Sequence, residues 1–474
     1  CRQYKNALQK QERTTGRPIE NLAPPVEYKL SEVKINPNAS EAGKARARAI
    51  IEANKACFAT HSNMLPKPAL DDDGQPVVIE FKFREDHSPR KVPRPNARRG
   101  SARVAILSAF RQQYEEMGLI APCYDSVWAN RPHLVAKYAE DAHRAGIPDS
   151  IRFTGDLSAT NTQIELIPAT HGNVQEELNR TAGHAVYCSA DAASAYWSFI
   201  LARKSSEACA VWLPDAHGNW VKYRFLRMMM GAKNSSTHMQ RYYYHACAQS
   251  EMPRENYSNL ADDFQVFGMN EMEALDVFEK FLEMCVKRQI TLKPSKVKLL
   301  FYEVDFYGWK LDVHGISPSE RNISPFRKMV EPKDMADLRH VCGLFNCFTR
   351  FIVVRKPDAD TGVLRAHFFK ELVEPMSVGT MGKLVVGSSF ASQWGDAQRA
   401  AFNTIRDVLL LGVHLFAPKP DRPIYMSTDM SLFGWGCYLY QISDSAEKLT
   451  IAMHNGKWTF TEISMPAVYK EGSA

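Results

Sequence analysis

Apolar positions three and four residues apart recur through "EMEALDVFEKFLEMCVKRQITL", placing Leu275, Phe278, Phe281, Leu282 and Cys285 on one face. That period predicts an amphipathic helix. The same spacing predicts a helix in "VAILSAFRQQYEEMGLIAP", ending near Gly118, another in "THMQRYYYHACAQS", and a single Ala-rich, basic one in "EAGKARARAIIEANKACFATHS". Shorter runs rich in β-branched and aromatic residues predict strands. "ACAVWLP" and "WVKYRFLRMMM" flank the turn Asp215-Ala216-His217-Gly218, a hairpin pattern. "IRFTGDLSATN" reads as a strand and turn, "HAVYCSADAASAYWSFIL" as a strand running into a short helix, "DDDGQPVVIEFKF" as a turn and strand, and "VWANRPHLVAKY" as extended chain. In "YSNLADDFQVFGMNE" two apolar runs face each other across Asp262 and Asp263, which predicts a hairpin. The order is mixed α+β, without repeats or low-complexity tracts, and with one strand hairpin cradled by helices.

Adjacent carboxylates repel, and burying either without a partner is costly. A third acid, Asp191, ends another strand-like run, "AVYCSAD". A hairpin and a helix lie between it and the pair, the chain needed to bring two strand ends together in one sheet. Three converging carboxylates make a hard oxygen site suited to Mg²⁺ rather than zinc. Two such ions about 4 Å apart suit phosphoryl transfer.

The bulk composition changes this picture little. Net charge is +6, which mildly favours a polyanionic partner. The stretch "SPRKVPRPNARRGSAR" carries basic residues, prolines and no acid, and reads either as a solvated linker or as an arm lying on a nucleic-acid backbone. The 10 cysteines show no C-x-x-C pair and are expected as reduced, buried thiols of an intracellular protein. No apolar run of about 18 residues occurs and the N-terminus is polar, so neither a membrane span nor a signal peptide is expected. The first residue is Cys, as expected for a fragment of a longer product.

The order of motifs from about residue 104 to 355 resembles the reverse transcriptase of gypsy-type LTR retrotransposons and retroviruses. "DAASAY" is similar to the family's D-x-x-x-A-Y, "RMMMGAKNSSTHMQR" to its R-M-P-F-G-L-K-N-A-P-x-x-F-Q-R, and "LADD" to its apolar–apolar–Asp–Asp hairpin. "LKPSKVKLLFYEVDFYGWKLDVHGI" and "DLRHVCGLFNCFTRFI" resemble the two motifs that follow. The sequence departs from the family at Leu260, Met229, Met230, Tyr138 and Ser158, and carries the insert "AEDAHRAGIPDS".

This resemblance implies an α+β right-hand polymerase with fingers, palm and thumb, followed by a connection and a partial RNase H-like α/β domain. It divides the chain into an N-terminal extension with the basic Pro-rich linker (1–100), fingers and the start of the palm (101–190), palm (191–310), thumb and connection (311–390), and a truncated RNase H-like domain (391–474). It makes Asp191, Asp262 and Asp263 the metal ligands, for Mg²⁺ or Mn²⁺. Lys137, Arg152 with Asp156, Tyr196, Gly231 and Gln240 would meet the nucleotide. Tyr196 would sit under the sugar and exclude a 2′-hydroxyl; otherwise it is a core aromatic. Lys296 or Lys293 would serve the pyrophosphate, and Phe306, Tyr307, Gly308 and Trp309 would brace the primer end.

Downstream, "DMSLFGWG" resembles the opening of the RNase H domain, making Asp429 and Glu471 its first acids; with so few residues left, RNase H activity is expected to be missing. The implied activity is RNA-directed DNA synthesis. The implied partners are an RNA template, a DNA primer, the RNA–DNA heteroduplex and deoxynucleoside triphosphates, with a homodimer as one arrangement. A degenerate or domesticated relic that binds nucleic acid without catalysis is the alternative.

Overall fold

In a computed structural model, the described residues are 26–62, 64–89, 92–96, 101–136, 151–168, 174–348, 390, 394–410, 414–430 and 434–457. They divide into two compact units, one of Cys1–Glu177 with Tyr187–Phe301, the other of Leu178–Val186 with Tyr302–Ala474.

The first unit is built on a five-stranded sheet. Its strands are β1 (Lys34–Ile35), β2 (Val186–Asp191), β3 (Tyr257–Leu260), β4 (Asp263–Gly268) and β5 (Lys298–Phe301), in the spatial order β1-β5-β2-β4-β3. β3 and β4 are antiparallel with Leu260 opposite Asp263, so only Ala261 and Asp262 form the turn. β3 is buried along its whole length and β4 from Phe264 onward, which accounts for the apolar runs around the acidic pair.

Four helices matter to this unit: α1 (Glu41–Ala53), α2 (Ala102–Glu116), α3 (Ser235–Ala248) and α4 (Glu271–Arg288). α4 starts where the Asn270 side chain accepts the Glu273 N–H at 3.0 Å, and it ends at Gln289 in the left-handed region. Its buried face includes Leu275, Phe278, Phe281, Leu282 and Cys285, the stripe expected from the sequence. Phe264 of β4 packs between Phe281 and Tyr243, with ring centroids 5.0 and 5.1 Å away, so α3 and α4 grip the hairpin from behind.

The Ala-rich helix is shorter than its pattern predicts. It stops at Ala53, and Lys55–Cys57 is a separate 3-10 turn; the chain then runs extended at Phe58 to reach Leu292. "IRFTGDLSATN" forms the strand Ile151–Asp156 and then a single helical turn, Ser158–Asn161, rather than a plain turn. After "DDDG" only Val78–Ile79 is strand, paired in parallel with Ile200–Leu201. In the basic stretch, Val92 accepts a hydrogen bond from the Trp212 indole at 3.0 Å, so this part of the arm lies against protein. Eight cysteines whose side chains are described are free thiols, and seven of them are buried.

The second unit contains an antiparallel sheet of Glu303–Phe306, Trp309–Asp312, Gly315–Pro318 and Leu415–Phe416. A separate three-stranded sheet comprises Tyr425–Met430, Gly434–Ile442 and Lys448–Lys457. Trp309, Phe326, Phe345, Phe348 and Phe402 form the unit's aromatic core. Much of the expected thumb and connection lies outside the described residues.

Candidate active site

β2 and β4 are hydrogen-bonded neighbours, and β2 ends in Asp191 as β4 begins at Asp263. Past the end of β2, the Ala192 N–H donates to the Asp262 carbonyl at 3.1 Å, fastening the chain after Asp191 to the hairpin turn. On the other side, the Lys293 N–H donates to the Asp191 carbonyl at 3.2 Å and the Ala193 N–H to the Thr291 carbonyl at 2.7 Å. The three acids expected to converge are therefore neighbours, brought together by main-chain bonds rather than by their own side chains.

Their electrostatics bear the mark of that crowding. Burial pushes the Asp191 carboxyl up to about 6, helped by the negative charges of Asp262 and Asp263 and opposed by Lys296 and Lys293. Asp263 is raised too, by desolvation first and then by Asp262, against the pull of Lys296. Asp263 is exposed by area, but protein crowds its flanks enough to disfavour the charge.

The turn carrying the pair is strained. Ala261 has φ +56°, a left-handed conformation that a side chain with Cβ disfavours by about 1–2 kcal/mol. Gln240, on α3, compensates: its carboxamide oxygen accepts the Ala261 N–H, and its amide group donates to the Asn259 carbonyl and side-chain oxygen at 3.3 and 3.1 Å. Gln240 is only 2% exposed. The expectation that it meets a nucleotide is corrected accordingly, because both ends of its carboxamide are spent on the hairpin.

The other expected residues sit on separate elements. Tyr196 is half-buried on the 3-10 turn Ala195–Ser198, its hydroxyl 2.9 Å from Ser236 Oγ; it is no core aromatic. Gly231 has φ +86°, and an added Cβ would meet only the Gly155 carbonyl at 3.9 Å, so the backbone angle, not crowding, calls for glycine. Asn161 holds this loop by donating to the Gly231 carbonyl at 2.9 Å and accepting the Lys233 N–H at 2.8 Å. No sequence signal marks Asn161, because its partners lie about 70 residues away along the chain.

Arg152 is exposed on its strand opposite Val135. Asp156 is held below its usual range by the Ser158 hydroxyl, 2.7 Å away, so the serine that departs from the family motif engages this carboxylate locally. Lys296 is exposed and Lys293 half-buried. Lys137 and Glu471 lie outside the described residues. The Asp429 backbone pairs with Gly436, and its side chain lies outside them as well.

In the second unit, Tyr307 and Gly308 form a two-residue turn between Phe306 and Trp309. Both turn residues have positive φ, as a hairpin of primed type requires. Phe306 and Trp309 are buried, and the Gly308 carbonyl accepts from Asn322 Nδ2 at 2.6 Å and from the Ser319 N–H at 3.1 Å.

Residues 147–311 match the family described as reverse transcriptase (RNA-dependent DNA polymerase). Residues 394–474 match the RNase H-like domain found in reverse transcriptase. The chain is 24% identical over 252 residues to the retrovirus-related Pol polyprotein from transposon 412 of Drosophila melanogaster, covering 53% of this chain and 18% of that polyprotein. It is 19% identical over 298 residues to the transposon Tf2-3 polyprotein of Schizosaccharomyces pombe, covering 63% of this chain and 20% of the relative. The chain thus spans about a fifth of the length of these curated relatives.

Among solved structures, it superposes on the foamy viral protease-reverse transcriptase in complex with dsDNA with TM-score 0.72 and 15% identity, over 95% of this chain and 85% of that one. The same viral protein in complex with RNA/DNA hybrid gives TM-score 0.69 at 16% identity, over 93% of this chain and 53% of that one. The chain has the α+β fold of a right-hand polymerase followed by an RNase H-like domain, and its similarities are those of a reverse transcriptase region within a retrotransposon Pol polyprotein.

Proposed function

We propose that this chain is an RNA-directed DNA polymerase that adds deoxynucleotides to a primer by two-metal-ion chemistry. The observation carrying the reading is the Ala192-to-Asp262 main-chain bond, which fastens the Asp191 strand end to the acidic turn. Asp191, Asp262 and Asp263 would hold the ions, and their all-oxygen, mutually repelling set suits Mg²⁺ or Mn²⁺. Among the described residues no group of three or more His, Cys, Asp or Glu side chains closes into a cage for a metal ion. In a polymerase-type site carboxylates supply part of the coordination and substrate phosphates the rest. When bound, such ions supply charge stabilisation to the attacking and leaving oxygens.

The protein's own part is positional. Gln240 holds the acidic turn beside the end of β2, and the loop through Gly231, pinned by Asn161, offers backbone to the nucleotide. Tyr196, anchored on Ser236, would lie under the sugar and exclude a 2′-hydroxyl. Arg152 and Lys137 would hold the triphosphate, Lys296 or Lys293 the departing pyrophosphate, and the Phe306–Trp309 hairpin the primer end. Template and primer are the nucleic-acid partners this reading requires, and the duplexes held by the foamy viral neighbours support it. The layout inferred from sequence, with a palm at 191–310 between fingers and thumb, serves as its domain frame.

The alternative, a relic that binds nucleic acid without catalysis, is favoured by one observation: Ser158, in place of the family's arginine, engages Asp156 and leaves one fewer cation for a triphosphate. Primer extension on an RNA template with Mg²⁺ decides between them. Deoxynucleotide incorporation, abolished in Asp262→Asn while heteroduplex binding persists, supports the polymerase. No extension with Mg²⁺ or Mn²⁺ supports the relic, and a wild-type rate in Asp262→Asn refutes the site.

A further inference from the structure

The sequence leaves the segment before residue 80 without a function, yet part of it lies against the candidate active site. The Leu292 N–H donates to the Cys57 carbonyl at 2.7 Å, and the Ala59 N–H donates to the Leu292 carbonyl at 2.8 Å. Leu292 in turn bridges to Ala192, and the next residue, Lys293, bonds the Asp191 carbonyl. A continuous main-chain ladder therefore runs from Cys57–Ala59 through Thr291–Lys293 to Asp191–Ala193 and the acidic turn. Tyr28 is tied to the same rung by its N–H, which donates to the Thr60 carbonyl at 2.8 Å. Its ring lies under the Lys293 ammonium, with Nζ 5.0 Å from the centroid.

We infer that residues 26–62 are a positioning strap for the candidate active site, and that Tyr28 acts through Lys293 by keeping its ammonium beside Asp191. The inference rests on the reading of Asp191, Asp262 and Asp263 as the acids that hold divalent ions. A lysine stem has four rotatable carbons and its head group is strongly hydrated, so the backbone bond to Asp191 does not fix where the charge sits. The aromatic face does. Lys293 and Lys296 are the cations that offset the crowding of the acids, and Lys293 is the one the strap controls. An ammonium held there moderates the negative field that draws a divalent ion.

Releasing it should tighten ion binding, whereas general loosening of the site would weaken it. The sign therefore separates a positioning role from a structural one. Mn²⁺ binding, followed by electron paramagnetic resonance without nucleotide, should tighten about 2- to 5-fold in Tyr28→Ala, the range that an exposed cation–π contact can supply. Tyr28→Phe should match the wild type. Lys293→Ala should tighten binding at least as much as Tyr28→Ala, and adding Tyr28→Ala to it should change nothing further.

Tyr28 is only half-buried, so these variants should keep the wild-type melting temperature. Unchanged or weaker Mn²⁺ binding in Tyr28→Ala, or independent effects in the double variant, overturns the strap while leaving the polymerase reading intact. A wild-type protein that binds no Mn²⁺ overturns both.

Discussion

At Asp191, the proposed metal-binding role and stability pull in opposite directions. Its carboxyl, raised to about 6 by burial and by two neighbouring acids, binds a proton in the folded state that the unfolded chain has already released. Between roughly pH 4 and 6 the metal-free protein should therefore lose stability as pH rises, because the folded state holds more protons than the unfolded one. Asp191→Asn removes the charge but keeps the shape. The expected outcome is a higher melting temperature for the metal-free variant at pH 7, a flatter stability profile across that window, and no primer extension; a lower melting temperature would contradict the repulsion argument. Tyr196 invites a second test. In Tyr196→Ala, ribonucleotide incorporation relative to deoxynucleotide should rise at least ~10-fold, since the excluded hydroxyl then has room. Unchanged sugar discrimination would remove the gate from Tyr196.

At the scale of elements, the hairpin depends on the helices behind it. Phe281 is 1% exposed and packs on Phe264, which immediately follows the acidic pair. Phe281→Ala should cost about 3–5 kcal/mol, read as a lower midpoint in urea unfolding. A loss under 1 kcal/mol would mean the site collapses around the gap. The α4 stripe is legible in sequence because a helix repeats its buried face every 3.6 residues. The shortening of α1 is not, because the chain leaves the helix to make tertiary bonds with Leu292. Gln240 shows the same limit: its motif position suggested a ligand, while its burial and its bonds to Ala261 and Asn259 make it a support of the turn.

At the scale of the whole molecule, a net charge of +6 is modest for the proposed binding of a polyanion, so such binding would depend on where the cations lie. If phosphate contacts dominate, heteroduplex affinity should fall ~10³-fold or more between about 50 and 200 mM salt. A nearly flat salt response in a filter-binding or anisotropy titration would exclude that mode. Among the described residues no helix is long and apolar enough to cross a membrane, in keeping with the apolar pattern. By itself the sequence determined the α4 face and the hairpin around the adjacent acids, since these follow from local periodicity and from residue types at short spacing. Tertiary structure alone decided that Cys57, Leu292, Ala192 and Asp262 share one ladder, that Gln240 steadies Ala261, and that Tyr28 carries Lys293. The ladder joins residues far apart along the chain through main-chain groups every residue possesses, and the side chains of Gln240 and Tyr28 meet partners distant in sequence, so no local pattern announces them.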